Sequence, residues 1–340
     1  MKVLFIGGTG VISSACTQSA VDQGIDLWLL HRGTPPKLPT PPEVGHITAD
    51  IRLNPDGAAS LLSQHTFDAV VDWVAYTPND VQNDIRIFAG KTSHFIFISS
   101  ASVYQRPVHH YLVTEGTPLA NPFWDYAQSK IACEEELMKS FRSLAFPVTI
   151  VRPSLTYGPT HFPLCVYSKE YPYTIADRIR SGKKIIIPGD GTSLWTVTYN
   201  ADFAKGLLGL LGYSPSIGHS FHITSDEVLT WDQIYLELGR ALGVEPKLIH
   251  LPSDLIASQD PQRRGSLLGD KSWSVVFDNS KIKRFVPSFQ ATTSWSQGVK
   301  IILEWFHADP SRCTVDIAMN ARWDSLIAAY EMMLQKISTE

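Results

Sequence analysis

The sequence predicts an α/β protein in which a doubly wound parallel sheet is followed by a smaller C-terminal lobe. Short apolar runs alternate with helix-length segments up to residue 151, and this alternation stops after Pro153. Strands that alternate with helices imply βαβ crossovers and a parallel sheet with helices on both faces. The chain has 340 residues, which at ~150 residues per domain corresponds to about two domains, or one domain with a lobe.

The predicted strands are short continuous apolar runs, the pattern of strands buried on both faces. They cover residues 3–6, 27–30, 46–49, 69–71, 94–98 and 148–151. The predicted helices between them lie near residues 11–23, 80–89 and 124–144. Residues 34–43 contain five prolines and are expected to form a stiff surface loop.

The second half of the chain does not continue the regular alternation of strands and helices. Residues 157–173 are rich in proline and aromatic side chains, and a helix at 175–180 and a strand at 184–187 are predicted after them. A further helix is predicted from Asp202, and an amphipathic helix near 323–334. In the long helix of the first half, the three glutamates at 134–136 are expected to face solvent.

A glycine-rich turn with the sequence GGTGVIS joins the first predicted strand to the first helix. Such a turn lets the main chain approach a pyrophosphate, which then binds at the helix N-terminus. Gly7 and Gly10 match the dinucleotide-binding spacing, with Ser13 at the third position. We therefore expect Gly7, Gly10, Val11 and Ile12 to contact NAD or NADP; an ordinary tight turn is the alternative.

The end of the second predicted strand favours NADP over NAD. An NAD site usually carries a carboxylate here that binds the ribose 2′-hydroxyl, whereas this chain has Arg32, which can pair with a 2′-phosphate. Asp50 and Ile51 follow the third predicted strand and are expected to flank the adenine. Residues 1–156 are thus predicted to form an NAD(P)-binding Rossmann domain. Residues 157–340 are predicted to form mainly a substrate-binding lobe, with about 190–220 returning to the sheet.

Tyr126 and Lys130 are four residues apart in the long predicted helix, so their side chains share one face. A free tyrosine has a pKa near ~10, and a neighbouring ammonium favours the phenolate and lowers this pKa. Such a tyrosine can exchange a proton with a substrate hydroxyl during hydride transfer. Ser100 follows a predicted strand at the carboxyl edge of the sheet, where ligands bind. A surface tyrosine beside a lysine is the alternative interpretation.

Further motifs accompany this pair: SSASVY at 99–104, Arg152-Pro153, and the Gly-Asp-Gly turn at 189–191. With them, the chain resembles the extended short-chain dehydrogenase/reductase family of NAD(P)-dependent epimerases and dehydratases. Within this family it is similar to the relatives of chloroplast stem-loop binding proteins. The resemblance runs from Lys2 to about Phe285.

The resemblance implies roles for individual residues. By position, Ser100 is the catalytic serine, Tyr126 the acid/base, and Lys130 the residue that lowers the tyrosine pKa and binds the nicotinamide ribose. The positions that line the cofactor in the family correspond to Val74, Ala75, Lys130 and Pro153. Ser102 corresponds to a position on the substrate side.

The chain departs from the family's sugar-nucleotide enzymes in its substrate positions. Ala101 and Ser102 stand where 4,6-dehydratases carry an Asp-Glu pair, which argues against dehydration of that type. Leu155 replaces an asparagine that touches the diphosphate. Trp195 and Leu267 stand near the positions of arginines that bind the diphosphate. These losses indicate a substrate less anionic than a nucleotide sugar.

Other side chains could complete the substrate site. Arg178, Arg263 and Arg264 are the candidates to replace the missing arginines. The expected substrate contacts are Ser102, Trp124, Tyr157 and Trp195. For the aromatic members of this set, a place in the hydrophobic core is the alternative.

Composition limits the class of partner. The 29 basic and 33 acidic residues give a net charge of −4, which argues against nucleic acid. Four widely spaced cysteines and no cluster with metal-ligand spacing predict no bound metal and a reducing, cytoplasmic location. No apolar run reaches the ~20 residues of a membrane span. A homodimer is expected by resemblance.

These observations together predict an NAD(P)-dependent oxidoreductase or epimerase that acts on a secondary alcohol or ketone of a sugar-like small molecule. An NADPH-dependent carbonyl reductase is a chemically close alternative. A cofactor-binding protein without catalysis, used for RNA binding, is an alternative of a different class.

Overall fold

The structure, a computed structural model, describes residues 1–338. Its strands are β1 (Lys2–Ile6), β2 (Asp26–His31), β3 (Gly45–Thr48), β4 (Ala69–Asp72), β5 (His94–Ile98), β6 (Leu112–Val113), β7 (Val148–Pro153), β8 (Leu155–Tyr157), β9 (Lys184–Pro188), β10 (Leu194–Trp195), β11 (Val197–Tyr199), β12 (Ser220–Ile223), β13 (Leu229–Thr230), β14 (Lys247–Leu251) and β15 (Val276–Phe277).

Its helices are α1 (Ser13–Asp22), α2 (Pro55–Leu62), α3 (Pro78–Phe88), α4 (Asp125–Leu144), α5 (Thr174–Arg180), α6 (Asn200–Leu210), α7 (Trp231–Leu242), α8 (Ser253–Gln259), α9 (Arg264–Ser266), α10 (Ser280–Phe285), α11 (Trp295–His307) and α12 (Ile317–Ser338). A π-helical turn, Leu267–Lys271, follows α9. No helix within residues 1–338 has both the length and the apolar character that a membrane crossing requires.

Seven strands form one parallel sheet in the order β12-β7-β5-β4-β1-β2-β3. The chain runs outward from β1 to β3 and then returns to β4 on the other side of β1. This reversal is the switch point of a doubly wound sheet, and the carboxyl ends of β1 and β4 diverge there to leave a crevice. The predicted α/β fold with a parallel sheet is confirmed.

Helices cover both faces of the sheet because its strands are apolar on both sides. On one face, Cys16 of α1 packs in the same cluster as Phe203 of α6 and Ile282 of α10. On the other face, α2, α3 and α4 bury residues that include Leu62 and Leu137. The segment after residue 199 therefore contributes to the sheet and its covering layer, through α6 and through β12 beside β7.

A third hydrophobic cluster belongs to the C-terminal lobe. Its largest members are four buried tryptophans, Trp195, Trp231, Trp295 and Trp323. The parallel pair of β9 and β14 and the helices α5, α7 and α11 surround this cluster. The lobe thus has a core of its own and lies against the carboxyl edge of the sheet.

Helix α2 was missed in the sequence interpretation. It has eight residues, and its start is marked by a local signal. The side chain of Asn54 accepts the N–H of Gly57 at 2.9 Å, and Pro55 occupies the first turn. Both features are typical of a helix N-terminus, but only Ala58 and Leu62 are buried, so the apolar periodicity was too short to detect.

Glu134 does not face solvent as expected, because α4 turns it toward the sheet. Its carboxylate accepts the Oγ–H of Ser99 at 2.5 Å and the Nε–H of Arg152 at 3.0 Å. A second contact joins Arg152 Nη2 to Glu134 Oε2 at 2.5 Å. This buried ion pair connects α4 to the ends of β5 and β7. Glu135 is exposed, as expected.

We predict that Glu134→Gln destabilises the fold, because it leaves the guanidinium of Arg152 buried without a counter-charge. Removing one partner of a buried pair costs roughly 3–5 kcal/mol. The free energy of unfolding in urea should fall by about 3 kcal/mol. Glu135→Gln is the matched control and should change it by less than about 0.5 kcal/mol. Equal stability of the two variants would show that this ion pair does not brace the sheet.

Candidate functional site

The glycine-rich turn after β1 has the close packing that its sequence predicts. Gly7 and Gly8 both have φ of +102°, a conformation that favours glycine. A Cβ on Gly8 would lie 2.5 Å from Leu29 Cδ2. The N–H of Gly7 donates to the carbonyl of Leu30 at 2.9 Å. A side chain on Gly8 would push the turn away from β2, and one on Gly7 would push it away from Trp73 and Val74, which follow β4.

The rest of the turn is held from two sides. Ser13, at the third motif position, accepts the N–H of Gly10 through its Oγ at 2.9 Å. Asn200 of α6 donates to the carbonyl of Val11 at 2.7 Å. No side chain caps α1, where Ile12 occupies the N-cap position. The small residues and the uncapped helix end fit the pyrophosphate of a dinucleotide.

A pair of histidines shapes the end of β2. The N–H of Gly33 donates to Nδ1 of His31 at 3.0 Å, so this nitrogen is an acceptor. The Nε2 of His31 therefore carries the proton and donates to Nδ1 of His46 on β3, also at 3.0 Å. Arg32 lies between His31 and Gly33. It is exposed and forms no ion pair with any described residue.

The segment after β3 forms a tight turn. The Oδ1 of Asp50 accepts the N–H groups of Arg52 and Leu53 at 3.0 and 3.1 Å. Ile51 is buried. The guanidinium of Arg52 reaches Asp72 at the end of β4 and Asp84 of α3. Arg52 thus connects the turn that carries the predicted adenine contacts, Asp50 and Ile51, to the end of β4.

Asp72 shapes the strand end that faces the glycine turn. Its Oδ1 accepts the N–H groups of Val74 and Ala75 at 2.8 and 3.1 Å. Burial opposes ionisation of Asp72, but the adjacent Arg52 guanidinium holds the pKa of this carboxyl below its usual value. Val74 Cγ1 lies only 3.1 Å from where a Cβ on Gly7 would be. The two segments predicted to contact the cofactor therefore face each other.

Lys130 of α4 is buried between two strand ends. Its Nζ donates to the carbonyl of Ala75, after β4, at 2.7 Å and to that of Ile98, in β5, at 2.8 Å. The ring centroid of Tyr126, one helical turn earlier, is 6.0 Å from this Nζ. The helix spacing thus brings both side chains to the carboxyl edge of the sheet, as predicted.

Ser100 lies beside them. It begins a short 3-10 helix, Ala101–Val103, and its Oγ accepts the N–H of Ser102 at 3.2 Å. The hydroxyls of Ser100 and Ser102 are 2.9 Å apart. Because the strand ends here, Ser100 points into the same space as Tyr126.

The pKa values of Tyr126 and Lys130 differ from those that the sequence predicts. Burial raises the pKa of Tyr126 to about 12, with a smaller contribution from Tyr76, although the Ser100 hydroxyl opposes this. Burial also lowers the pKa of Lys130 to about 8. The expected lowering of the tyrosine pKa is therefore wrong for the chain alone, because desolvation of the phenol is the largest influence on this pKa.

Two cavities lie where the lobe meets this edge. The inner cavity, of about 240 Å³, is lined by Ser100, Ala101, Ser102, Trp124, Tyr126, Pro153, Ser154, Leu155, Asp270 and Lys271. The outer cavity, of about 500 Å³, shares Trp124 and Lys271 and extends past Tyr167, Lys169, Arg263 and Arg322. The predicted residues Ser100, Ser102, Trp124, Tyr126 and Pro153 thus come together around the inner cavity.

Two predicted substrate contacts are wrong. Tyr157 is completely buried in the core of the lobe, with its ring 5.2 Å from that of Trp295. Trp195 is 1% exposed and packs against Trp231 at 5.1 Å between ring centroids. Both rings face other aromatic rings of the lobe, and neither lines the inner or the outer cavity. The core interpretation applies to both.

The arginines considered as replacements either have other partners or lie outside both cavities. Arg178 is buried and contacts Asp324 at 2.9 Å, on the far side of the lobe. Arg263 lines the outer cavity, but its three nitrogens donate to Asp260 and to the carbonyls of Cys165 and Tyr167. Arg264 lies at the exposed surface, away from both cavities.

Sequence reasoning missed Asp270 and Lys271. They come from the π-helical turn, far along the chain from the other residues of the inner cavity. The π-helical turn packs closely against Trp124 because Gly269 has no side chain. A Cβ on Gly269 would lie only 2.9 Å from Trp124 Cβ. No periodicity or motif marks this turn, so the sequence offered no signal for it.

Comparisons with known proteins identify the family and the fold. Residues 3–223 match the NAD dependent epimerase/dehydratase family. The chain is 25% identical over 263 residues to the chloroplast stem-loop binding protein of 41 kDa b of Arabidopsis thaliana, covering 73% of this chain and 65% of that protein. It is 25% identical over 192 residues to a UDP-N-acetyl-alpha-D-glucosaminuronate decarboxylase of Bacillus cytotoxicus, covering 54% and 53%. It thus spans less than two thirds of the length of either relative.

Solved structures share the fold at low identity. Pal from Bacillus thuringiensis superposes with a TM-score of 0.73 at 18% identity, covering 91% of this chain and 99% of that one. The UDP-glucuronic acid 4-epimerase from Bacillus cereus in complex with NAD gives a TM-score of 0.71 at 21% identity, covering 92% and 100%. The family match extends from β1 to the last strand of the sheet, so the chain belongs to the NAD-dependent epimerase/dehydratase family of extended short-chain dehydrogenases/reductases.

Proposed function

We propose that this chain is an NAD(P)-dependent oxidoreductase or epimerase that acts on a secondary alcohol or ketone of a sugar-like small molecule. The observation that carries the proposal is the convergence of Ser100 and Tyr126 on one cavity beside the buried Lys130. In this proposal, residues 1–156 bind the dinucleotide and residues 157–340 mainly supply the substrate side. About residues 190–220 return to the sheet.

The geometry supports proton exchange at a substrate oxygen. Tyr126 keeps its proton at neutral pH because burial raises its pKa to about 12, so it can donate a proton to a carbonyl oxygen. Ser100 offers a second hydroxyl to the same oxygen. In the opposite direction the base is the phenolate form of Tyr126, which the nearby ammonium of Lys130 stabilises and which accepts the proton of an alcohol. A bound dinucleotide would supply the hydride acceptor or donor.

The inner cavity is about 240 Å³, which suits a small substrate portion such as one sugar ring. Trp124 forms one wall, and a flat aromatic face is a common surface for a sugar ring. Its ring centroid is 4.9 Å from that of Tyr126. Ala101 and Ser102 offer no carboxylate, and this supports redox or epimerase chemistry rather than dehydration. An NADPH-dependent carbonyl reductase would use the same residues.

The end of β2 supports NADP as the cofactor. Arg32 is exposed and unpaired among the described residues, so its guanidinium is available to a 2′-phosphate. The hydrogen bonds from Gly33 to His31 and from His31 to His46 fix the turn that carries it. Neither histidine can replace a carboxylate as an acceptor of two ribose hydroxyls.

The proposal extends to assembly and location. We propose a homodimer, in keeping with the resemblance, and a cytoplasmic protein, since all four cysteines are free thiols. RNA binding is the second candidate, favoured by the name of the stem-loop binding relative. The net charge of −4 opposes it.

We predict that Tyr126→Phe lowers turnover by at least ~100-fold, because general acid–base catalysis contributes roughly 10²–10⁴-fold. Dinucleotide affinity should stay within about twofold, since the phenol acts on the substrate oxygen. Turnover is measured with a panel of sugar-like alcohols and ketones, and affinity by calorimetry. Unchanged turnover would rule out the tyrosine mechanism. Tight RNA binding in a gel shift, without any turnover, would favour the second candidate.

The burial of Lys130 is tested by comparing the free energy of unfolding of the wild-type chain and of Lys130→Met as a function of pH. The pKa of Lys130 is about 8 when folded against an ordinary 10.5. The unfolded chain therefore binds the proton more readily between these values, and wild-type stability rises with pH across this window. The wild-type free energy of unfolding, relative to Lys130→Met, should increase by about 2–3 kcal/mol from pH 7 to pH 10.

Urea unfolding without added dinucleotide gives this difference. Lys139→Met is the control, because Lys139 lies on the same helix with a side chain that is 74% exposed. Its difference from wild type should stay constant with pH. A Lys130→Met difference that is equally flat would show that the ammonium is not desolvated.

Cofactor choice is tested by Arg32→Ser. We predict that this variant binds NADPH roughly tenfold more weakly and NADH unchanged, because a charge-assisted hydrogen bond contributes about 1.5–3 kcal/mol. Fluorescence titration with each dinucleotide measures both affinities. Equal losses for NADPH and NADH would contradict a contact with the 2′-phosphate.

Two substitutions of His46 test whether the hydrogen bond between His31 and His46 positions Arg32. The Oδ1 of an asparagine can accept a hydrogen bond much as Nδ1 of histidine does. His46→Asn should therefore keep the NADPH preference, and His46→Leu should reduce it.

A further inference from the structure

Lys271 lies where the inner and outer cavities meet. It lines both of them, together with Trp124. Its main-chain carbonyl accepts the indole N–H of Trp195 at 3.2 Å and that of Trp231 at 2.9 Å. Two buried tryptophans of the lobe core thus fix the position of this residue at the junction.

The ammonium of Lys271 lies near one carboxylate, that of Asp270. Its side chain is 11% exposed, and the nearest carboxylate oxygen, Asp270 Oδ2, is 3.6 Å away. No acceptor among residues 1–338 lies within hydrogen-bond distance of its Nζ, and the Trp195 ring is 5.8 Å away. An ammonium carries three hydrogen-bond donors, so a ligand with acceptor atoms at the junction would gain charge-assisted hydrogen bonds from it.

Asp270 does not neutralise the junction. Its other oxygen, Oδ1, lies 3.5 Å from Nη2 of Arg106, whose side chain is only 2% exposed. One carboxylate is therefore shared by two cations, and the group of three carries a net positive charge. A buried group with this charge attracts an anion.

Other lysines extend the positive region. Burial, followed by the charges of Lys37, Lys271 and Lys169, lowers the pKa of His161 to about 4. These three lysines come from separate segments of the chain. The two arginines of the outer cavity are used differently, since Arg322 donates to the carbonyl of Gln259 and Arg263 is bound as described above. The outer cavity also contains the carboxylates of Glu170, Asp260 and Asp316. Lys271 is the cation that lines both cavities, so it is the proposed anion contact at the junction.

We propose that Lys271 binds an anionic group of the substrate, a carboxylate or a phosphate monoester, at the junction of the two cavities. The proposal rests on the proposed function in one respect, that the reacting carbon lies beside Tyr126 in the inner cavity. It narrows the substrate to a sugar-like molecule with one charged group. A lysine is a point charge, whereas a diphosphate is commonly held by the planar fork of arginines. The two positions where such arginines are expected hold Trp195 and Leu267, which are buried apolar residues.

Binding is measured by calorimetry with the full chain and three probes: glucose, glucuronate and glucose 1-phosphate. We expect at least one of the two anionic probes to bind about tenfold more tightly than glucose. The two anions distinguish a carboxylate from a phosphate ester. In Lys271→Met this preference should disappear, and Lys271→Arg should restore part of it.

Lys169→Met is the control, because Lys169 lines the outer cavity but is exposed. It should change each affinity by less than about threefold, as expected for a surface charge. An anion preference that survives in Lys271→Met would overturn the proposal, and so would a wild-type chain that binds glucose as well as either anion or binds none of the probes.

The test does not require turnover. Tyr126→Phe should keep the anion preference, since its hydroxyl acts at the other end of the inner cavity. Loss of the proposed catalytic function with retained anion binding would therefore be distinguishable from failure of the Lys271 proposal.

Discussion

The buried ammonium of Lys130 is the interaction on which the arrangement of the site depends. It joins the carbonyls of Ala75 and Ile98, so one side chain connects α4 to the carboxyl ends of two neighbouring strands. This contact fixes the rotation and height of α4 against the sheet. Tyr126, one turn earlier, is thereby placed at the edge where Ser100 leaves β5. The same burial that organises the site makes this charge expensive, which lowers the pKa of Lys130.

Two further buried ion pairs lie at the same edge. Arg52 holds Asp72, which in turn binds the N–H groups after β4. Arg152 and Glu134 connect α4 to β7. Charges of this kind are weak evidence for stability, because their desolvation offsets much of their attraction. Their position at the strand ends indicates a different role: they define the shape of the crevice before any ligand is bound.

The sequence predicted six of the seven strands of the sheet, and β12 was not predicted. Apolar runs marked β1, β2, β4, β5 and β7, since strands buried on both faces have little choice of side chain. The spacing of Tyr126 and Lys130 was equally informative, because positions four apart share a helix face. Helix α2 was too short for its periodicity to be detected.

The substrate side was harder to predict. A buried tyrosine or tryptophan after a motif can face a cavity or the core, and composition cannot separate the two, so Tyr157 and Trp195 were misassigned. Asp270 and Lys271 could not be predicted as cavity residues for another reason. They reach the inner cavity only because the lobe folds back across α4, a long-range contact with no local signal. The pKa of Tyr126 likewise depends on desolvation that only the packed structure reveals.

A crystal structure of the chain with NADP⁺ tests the central claim most directly. The account predicts that the pyrophosphate lies on the turn at Gly7 and Gly10 and that a ribose hydroxyl lies within about 3.2 Å of Lys130 Nζ. The nicotinamide should face the cavity of Ser100 and Tyr126. A dinucleotide bound elsewhere, or a Lys130 that contacts only the carbonyls of Ala75 and Ile98, would contradict it.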